Sequence, residues 1–158
     1  MTDSLFFALR LVAALGAAMM AGLYFTFSNT IMSSLSKLEP AQGIAAMQSI
    51  NRTIQNPLFF LLFVGTAISC VLVVVFSLGK LPATSAVLMV VGAVIYLIGS
   101  LVVTGALNVP LNNTLETLVP NAPGSADWWA NFLVNWTTWN HIRTIASLLA
   151  AVLLLVAK

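Results

Sequence analysis

Charged side chains are scarce in this sequence. Its 158 residues include six Lys or Arg and four Asp or Glu, so that only 6% are charged, whereas a soluble domain carries about 25%. So few charges do not cover the surface of a globule of this size in water. The net charge of +2 also provides no basic stripe of the kind that binds nucleic acid. These shortages exclude a soluble domain and a nucleic-acid-binding protein.

Residues that form disulfides or bind metals are equally scarce. The single cysteine, Cys70, lies in an apolar segment, which excludes a disulfide framework and a cysteine-based zinc site. No ligand cluster surrounds the single histidine, His141, so we expect no metal site and no cofactor, with a haem bound by one histidine left open. The sequence also has no Ser/His/Asp constellation, phosphate-binding glycine loop or dinucleotide fingerprint, which argues against hydrolases, kinases and nicotinamide-dependent enzymes.

Apolar residues, in contrast, are abundant and make up 60% of the chain. A helix needs about 20 mostly apolar residues to cross a bilayer, and four segments reach that length, the last only if it begins among the tryptophans. They span about 6–27, 58–78, 83–107 and 128–157. The sequence therefore predicts an all-α membrane protein in which residues 1–158 form one domain, an up-down bundle of four transmembrane helices.

The connections between these segments differ in length. Residues 29–56 and 108–127 form two long loops on the same side of the membrane, opposite both termini, and 79–82 forms a tight turn. The distribution of Lys and Arg favours cytoplasmic termini. The first loop contains a short amphipathic helix beginning near Pro40, which lies at the interface or covers the end of the bundle. Its apolar face comprises Ile44, Met47, Ile50 and Ile54, with Asn51 near the edge, and its polar face Gln48, Arg52 and Gln55.

Polar residues concentrate at the end of the bundle that carries the long loops. They are Ser28, Asn29, Asn56, Asn108, Asn112, Asn113, Asn135, Asn140, His141 and Arg143. Asn108 either caps a helix running towards Leu118 or contacts a ligand. The opposite end offers almost no polar residues beyond Lys80 and the termini. We therefore expect any functional site to lie at the long-loop end.

The fourth segment carries the most informative residues. His141 and Arg143 lie about 160° apart on an ideal helix, so at most one of them is central to a small site unless the loops fold over it. Arg143 either reaches lipid phosphates or serves a function, and His141 is either a packing residue or a base, since histidine titrates near neutrality. Trp136 and Trp139 belong either to an interfacial aromatic belt or to a pocket for a planar ligand.

Four polar segments resemble, as a set and in order, the anthrone-oxygenase-like membrane family. The segments are Gly22-Leu-Tyr24-Phe-Thr-Phe-Ser28, Met47-Gln-Ser-Ile-Asn51 with Asn56-Pro57, Thr104-Gly-Ala-Leu-Asn108-Val-Pro-Leu-Asn112, and Trp136-Thr-Thr-Trp139-Asn140-His141-Ile-Arg143. Fungal members of that family convert anthrones into anthraquinones with molecular oxygen, and most bacterial-type members are uncharacterised. The resemblance implies a multi-pass protein, which we expect in the cytoplasmic membrane of a bacterium.

The resemblance also implies a site. It predicts a membrane oxygenase for a small planar lipophilic phenol or anthrone-like compound, independent of cofactors because the substrate anion reacts with oxygen once a base has removed a proton. His141 is the predicted base and Arg143 the second catalytic residue. The predicted substrate-binding residues are Tyr24, Asn51, Asn108, Asn112, Trp136, Trp139 and Asn140.

Two other functions remain open on the sequence alone. The same polar end would suit a non-catalytic binding or scaffold module for a lipid, a quinone or another membrane protein. A transporter ranks third, because the sequence has no internal repeat and no acidic residue within its apolar segments. The expected partners are the lipid bilayer and a small lipophilic ligand, and the small residues on the first and third segments allow a homo-oligomer.

Overall fold

The computed structural model describes residues 2–157 and consists of five helices. They are α1 (Asp3–Leu35), α2 (Pro40–Ile54), α3 (Pro57–Leu78), α4 (Thr84–Thr117) and α5 (Ser125–Val156), and no strand occurs within the described range. All except α2 are long and apolar enough to cross a membrane. The prediction of an all-α, multi-pass membrane bundle with one extra helix in the first long loop is confirmed.

The helices begin where local sequence favours a start. The Thr2 hydroxyl accepts a hydrogen bond from the Leu5 amide at α1, and the Asn56 side chain accepts one from the Phe59 amide at α3, followed by Pro57 in the first turn. Before α5 the chain turns through Gly124, whose φ of 82° is in the region that favours glycine. These starts fix where each helix enters the bundle.

In the bundle, α1 packs against α3 and α5, and α4 packs against the same two helices from the other side. Small residues set the distances. A Cβ added at Gly16 would overlap the side chain of Thr66 on α3, and one added at Gly99 would overlap the side chain of Ala146 on α5. Such close approach is how helices associate in lipid. These glycines therefore serve internal packing.

α1 and α4 extend further into the long-loop end than the apolar segments predicted. In each helix the backbone changes to π-helical spacing near that end, at Phe27–Ile31 in α1 and at Leu97–Val102 and Thr104–Asn108 in α4. The helix then resumes, to Leu35 and Thr117. π-Helical turns shift the side chains that follow them and occur frequently at functional sites. Here they flank the end of the bundle where polar residues are buried.

α2 covers this end of the bundle. Ile44 and Met47 are buried in a cluster with Leu115 of α4 and with Trp129 and Phe132 of α5. The placement of Gln48 on the polar face was wrong, because it is buried and donates hydrogen bonds to the Leu115 and Leu118 carbonyls at 2.8 and 3.0 Å. At the end of α4 the Leu115 carbonyl also accepts a hydrogen bond from the Leu118 amide, and Gln48 adds a side-chain donor to both carbonyls. α2 is thereby fixed to the end of α4 and forms a lid.

Candidate functional site

A cavity of about 210 Å³ lies under α2 at the long-loop end. All five helices contribute to its wall. The lining residues are Leu23, Tyr24 and Phe27 of α1, Asn51 and Ile54 of α2, Gln55 after it, Phe59, Phe60 and Phe63 of α3, Thr104, Val109, Asn112 and Asn113 of α4, and Trp136, Asn140 and Arg143 of α5. One side is mainly aromatic, and the remainder carries amide, hydroxyl and guanidinium groups. The cavity thus joins apolar contact area with a few oriented polar groups, as small-molecule sites do.

Arg143 provides the charge of this cavity. Its side chain is buried, with 5% of its surface exposed, although it lies within a membrane-spanning helix. One terminal nitrogen donates to Asn140 Oδ1 at 2.7 Å and the other to Thr104 Oγ1 at 3.2 Å. The guanidinium carbon lies 4.4 Å from the centre of the Tyr24 ring and 5.1 Å from that of Trp136, within the range of cation–π attraction.

Among the described residues, no carboxylate neutralises Arg143. Over residues 2–157 the structure contains one ion pair, between Arg52 and Glu116, and the acidic residues are all exposed. Neutral dipoles and aromatic rings alone therefore hold the guanidinium. Since a buried charge is costly in a membrane unless it is paired, the positive potential in the cavity favours an anionic ligand or one that becomes anionic.

Asn140 holds the guanidinium in place. Its amide nitrogen donates to the Tyr24 carbonyl at 2.6 Å and to the Ser28 hydroxyl, both on α1, while its oxygen accepts from Arg143. The donors and the acceptor of one buried amide thus connect α1, α5 and the guanidinium. The position of Arg143 is therefore coupled to the α1–α5 contact, the most extensive helix pairing in the bundle.

Trp136 and Asn112 form a second connection across the cavity. The Trp136 indole nitrogen donates to Asn112 Oδ1 at 2.8 Å, and its ring lies 5.7 Å from that of Phe27 between centroids. On the opposite side the Phe59 and Phe63 rings stack at 5.6 Å with an interplanar angle of 11°. The cavity is thus lined by flat rings, and the Trp136 indole is fixed in one orientation by its hydrogen bond.

Two hydrogen-bond donors in the cavity wall lack partners. In the part of the chain that the structure describes, Asn51 Nδ2 and Arg143 Nε are buried without an acceptor. Asn51 is only 6% exposed and belongs to the lid helix. A buried donor without an acceptor costs free energy, so an oxygen-bearing ligand in the cavity would gain from both. One donor is on the lid and the other on α5.

Three residues predicted for the site do not line the cavity. Asn108 is fully buried, and its amide donates to the Trp136 carbonyl at 3.2 Å instead of capping a helix. The capping interpretation was wrong because α4 continues as a helix through Asn108. Trp139 is half-buried outside the cavity wall. His141 is exposed and lines a separate groove that includes Ser28, Thr137 and Thr138.

The family of this chain follows from a comparison with known protein families. The family model described as anthrone oxygenase matches residues 57–153, which is more than half of the sequence. The chain belongs to the anthrone oxygenase family. No curated protein and no solved structure matches it.

The match to the anthrone oxygenase model covers α3, α4 and most of α5. It includes the residues that α4 and α5 contribute to the polar part of the cavity, which are Thr104, Asn112, Asn113, Trp136, Asn140 and Arg143. The lid helix and α1, with Asn51 and Tyr24, lie outside the matched range. In this anthrone oxygenase family member, the guanidinium and its main partners thus occur within the matched region, and α1 and α2 complete the cavity.

Sequence reasoning missed several residues of the cavity wall. Thr104 lies four residues before Asn108 in one of the four segments that resemble the family. This helical spacing from a predicted site residue was the signal that could have identified Thr104. Gln55 and Asn113 lie beside predicted polar residues and form an exposed polar edge of the cavity. Nothing in the sequence distinguishes Phe59 and Phe63 from lipid-facing residues, because their role depends on which face of α3 turns inward.

Proposed function

We propose that this protein is a membrane oxygenase whose cavity binds a small planar lipophilic anthrone-like or phenolic ketone and stabilises its anion through Arg143. The observation that carries the proposal is a buried guanidinium, free of any carboxylate in residues 2–157, that lies between aromatic rings in a cavity. Family membership supports the reaction class. The identity of the substrate and the catalytic roles below are part of the proposal.

The chemistry requires little more than charge stabilisation. An anthrone loses a C–H proton and becomes an anion with its charge on the ketone oxygen. The anion gives one electron to dioxygen, and the two radicals combine to form a C–O bond. The resulting peroxide takes up the proton and then eliminates water, leaving a second carbonyl. Overall, a CH₂ group and O₂ become a C=O group and water.

Arg143 is suited to stabilise the anion because its position is fixed before the substrate binds. Asn140 and Thr104 hold its two terminal nitrogens, so little reorganisation is needed when negative charge develops nearby, and fixed donors of this kind are effective in a site that excludes water. The unpartnered Asn51 amide gives a second donor for a substrate oxygen. The aromatic rings then bind the planar carbon skeleton.

The cavity also limits the size of the ligand. Its volume of about 210 Å³ is below the roughly 300 Å³ at the lower end of sites that enclose drug-sized ligands. A ligand of three fused rings is smaller than a drug-sized molecule and would fill most of this volume. We expect its oxygen-bearing end near Arg143 and its other end towards the aromatic residues of α3.

The route of the substrate proton has two versions. Within residues 2–157, no histidine or carboxylate lines the cavity, so in the first version the proton passes to water at the edge formed by Gln55 and Asn113. The second version retains the sequence prediction that His141 is the base. It then requires a relay, since His141 lines a groove with Ser28 and the Ser28 hydroxyl accepts a hydrogen bond from Asn140.

Oxygen uptake by protein in lipid nanodiscs, with anthrone as substrate and anthraquinone quantified as product, tests the proposal. We expect Arg143→Gln to lose about 100-fold or more in kcat, the typical effect of removing a fixed oxyanion donor. Arg10→Gln is the matched control, because it removes an arginine outside the cavity. A folded Arg143→Gln protein with the activity of the unmodified protein would overturn the role of Arg143. His141→Ala separates the two proton routes: loss of activity supports the relay, and retained activity supports release to water.

A binding module is the second candidate function. The observation that favours it is the same lack of a histidine or carboxylate in the cavity wall over the described residues. In that case anthrone binds saturably to the unmodified protein and less tightly to Arg143→Gln, and no oxygen is consumed above the rate of the free compound. Isothermal titration beside the uptake assay distinguishes the two functions.

A further inference from the structure

A long groove runs along the outside of the bundle between α1 and α3. It has a volume of about 670 Å³ and is lined by α1 residues from Val12 to Leu23, by α3 residues from Leu58 to Ser69, and by Ile54 and Asn56. Its two hydroxyls are already occupied, because Thr66 donates to the Leu62 carbonyl and Ser69 to the Gly65 carbonyl. The groove is therefore apolar over nearly its whole length.

The groove belongs to the lipid-facing part of the molecule. Both of its walls are segments of membrane-spanning helices, and Leu15, Met19, Leu58 and Leu61 among its residues are exposed. Apolar side chains exposed on a membrane helix contact acyl chains. A compound dissolved in the bilayer therefore has direct access to the groove.

The groove and the cavity share three residues, Leu23, Ile54 and Phe59. These lie on α1, on the last turn of α2 and on the first turn of α3, and all three are half-buried. The Phe59 ring stacks on the ring of Phe63, which lines the cavity but not the groove. The apolar surface is thus continuous from lipid, past three side chains, to the aromatic side of the site.

Apart from the exposed polar edge at Gln55 and Asn113, the water-facing side is covered by the lid helix α2. Gln48 binds α2 to two carbonyls at the end of α4, and Arg52 on the same helix pairs with Glu116. These contacts hold the lid over the cavity. The side towards lipid is held by apolar contacts and aromatic stacking, which side-chain rotation opens at lower cost than breaking hydrogen bonds to buried carbonyls.

We propose that the substrate enters laterally from the bilayer through the α1–α3 groove and passes between Leu23, Ile54 and Phe59 to reach Arg143. The inference rests on the proposed function and narrows its substrate class to a planar aromatic ketone dissolved in the membrane. The oxygen-bearing end enters first, because Arg143 lines the cavity but not the groove and is therefore reached only after the shared residues.

Gly65 offers a way to block the groove without altering the cavity. It lines the groove but not the cavity, and a Cβ added there meets no atom within 4 Å. Gly65→Leu therefore fills the groove. Gly22→Leu is the matched control, since Gly22 is also a helical glycine with open space around its Cβ and lines neither cavity nor groove. Met19→Trp provides a second block from the α1 wall if Gly65→Leu fails to fold.

The first readout is photolabelling by benzophenone, a lipophilic aromatic ketone, dissolved in the lipid of nanodiscs and mapped by mass spectrometry. In the unmodified protein we expect labels on both the groove and the cavity residues. The cavity labels should fall about tenfold in Gly65→Leu and remain in Gly22→Leu. The second readout is turnover, in which the block raises KM about tenfold at constant kcat because only access is affected.

The outcomes separate entry from catalysis. If the block removes cavity labels and the unmodified protein forms no quinone, lateral entry stands and the oxygenase function fails. If quinone forms and neither block changes KM or cavity labelling, lateral entry is overturned while the oxygenase function stands. If groove labels disappear on blocking but cavity labels persist, the groove binds the ketone without leading to the cavity, and the proposal is equally overturned.

Discussion

The two ends of this four-helix bundle are built from different side chains. Towards the short α3–α4 turn the interior contains Val73, Met89, Leu154 and other apolar residues packed tightly together. At the long-loop end it contains Arg143, Asn140, Asn108, Asn51 and Gln48, all buried. Both ends are made from the same long helices, so the difference does not arise from the fold.

The difference indicates that the apolar end provides stability and the polar end provides function. A membrane bundle gains its cohesion from close packing, and the apolar end provides this with a cluster of small, branched, aromatic and methionine side chains. The buried polar groups add a cost at the other end, and some of them lack hydrogen-bond partners in the described part of the chain. Arg143, Asn140 and Asn51 raise the cost of folding and also line one cavity, so they are explained by a ligand rather than by packing.

The largest effect that would test this division is expected at Asn140. Asn140→Ala removes two hydrogen bonds to α1 and the acceptor that orients Arg143. We expect kcat for anthrone oxidation to fall about 100-fold, and the free energy of unfolding in mild detergent to fall by about 2 kcal/mol, since polar contacts inside membranes contribute about 1 kcal/mol each.

Asn135→Ala is the matched control for this change. Asn135 lies on the same helix, is exposed, and donates only to the carbonyl of Asn131 four residues earlier. Its removal should leave both quantities within error. Equal effects of the two substitutions would contradict the division into a functional and a packing end.

Much of the arrangement of the site was predictable from the sequence, because its residues on α5 follow a helical spacing. Trp136, Asn140 and Arg143 recur at helical spacing, so an ideal wheel already places them on one face and His141 on the other, as the structure shows. The four apolar segments follow from hydropathy in the same way. Local periodicity carries this information without any knowledge of tertiary contacts.

Other parts depended on contacts that no local pattern contains. Asn108 was interpreted as a cap or a ligand contact because a span was expected to end there, whereas π-helical turns carry α4 onward and the amide donates to the Trp136 carbonyl. Gln48 was placed on the polar face of its helix, whereas the end of α4 provides the acceptors for its buried amide. In both cases the partner is more than 25 residues distant and defined by tertiary packing.

At the apolar end we expect a substitution to lower stability without changing activity, and its total effect to be smaller than that at Asn140. Leu154 is fully buried in the apolar cluster, and Leu154→Ala leaves a cavity there. We expect a loss of about 2 kcal/mol in stability, at the lower end of the range for such substitutions because lipid is as apolar as the core. The kcat of the folded protein should remain unchanged in nanodiscs.

Leu155→Ala, which shortens the next residue on the lipid-facing side, is the control. A fall in kcat at Leu154 would show that the apolar end also contributes to catalysis.

The smallest effect is expected at the lid. Arg52 and Glu116 form a salt bridge at 2.6 Å between α2 and α4, with side chains 66% and 41% exposed. Because exposed ion pairs contribute about 0.5 kcal/mol, Arg52→Ala should barely change the midpoint of thermal unfolding. If substrate enters from lipid, the loosened lid should leave KM for anthrone unchanged, and the double variant Arg52→Ala with Glu116→Ala should behave like either single variant. A lower KM in Arg52→Ala would instead mean that the lid limits access, and that substrate reaches the polar end from the water-facing side.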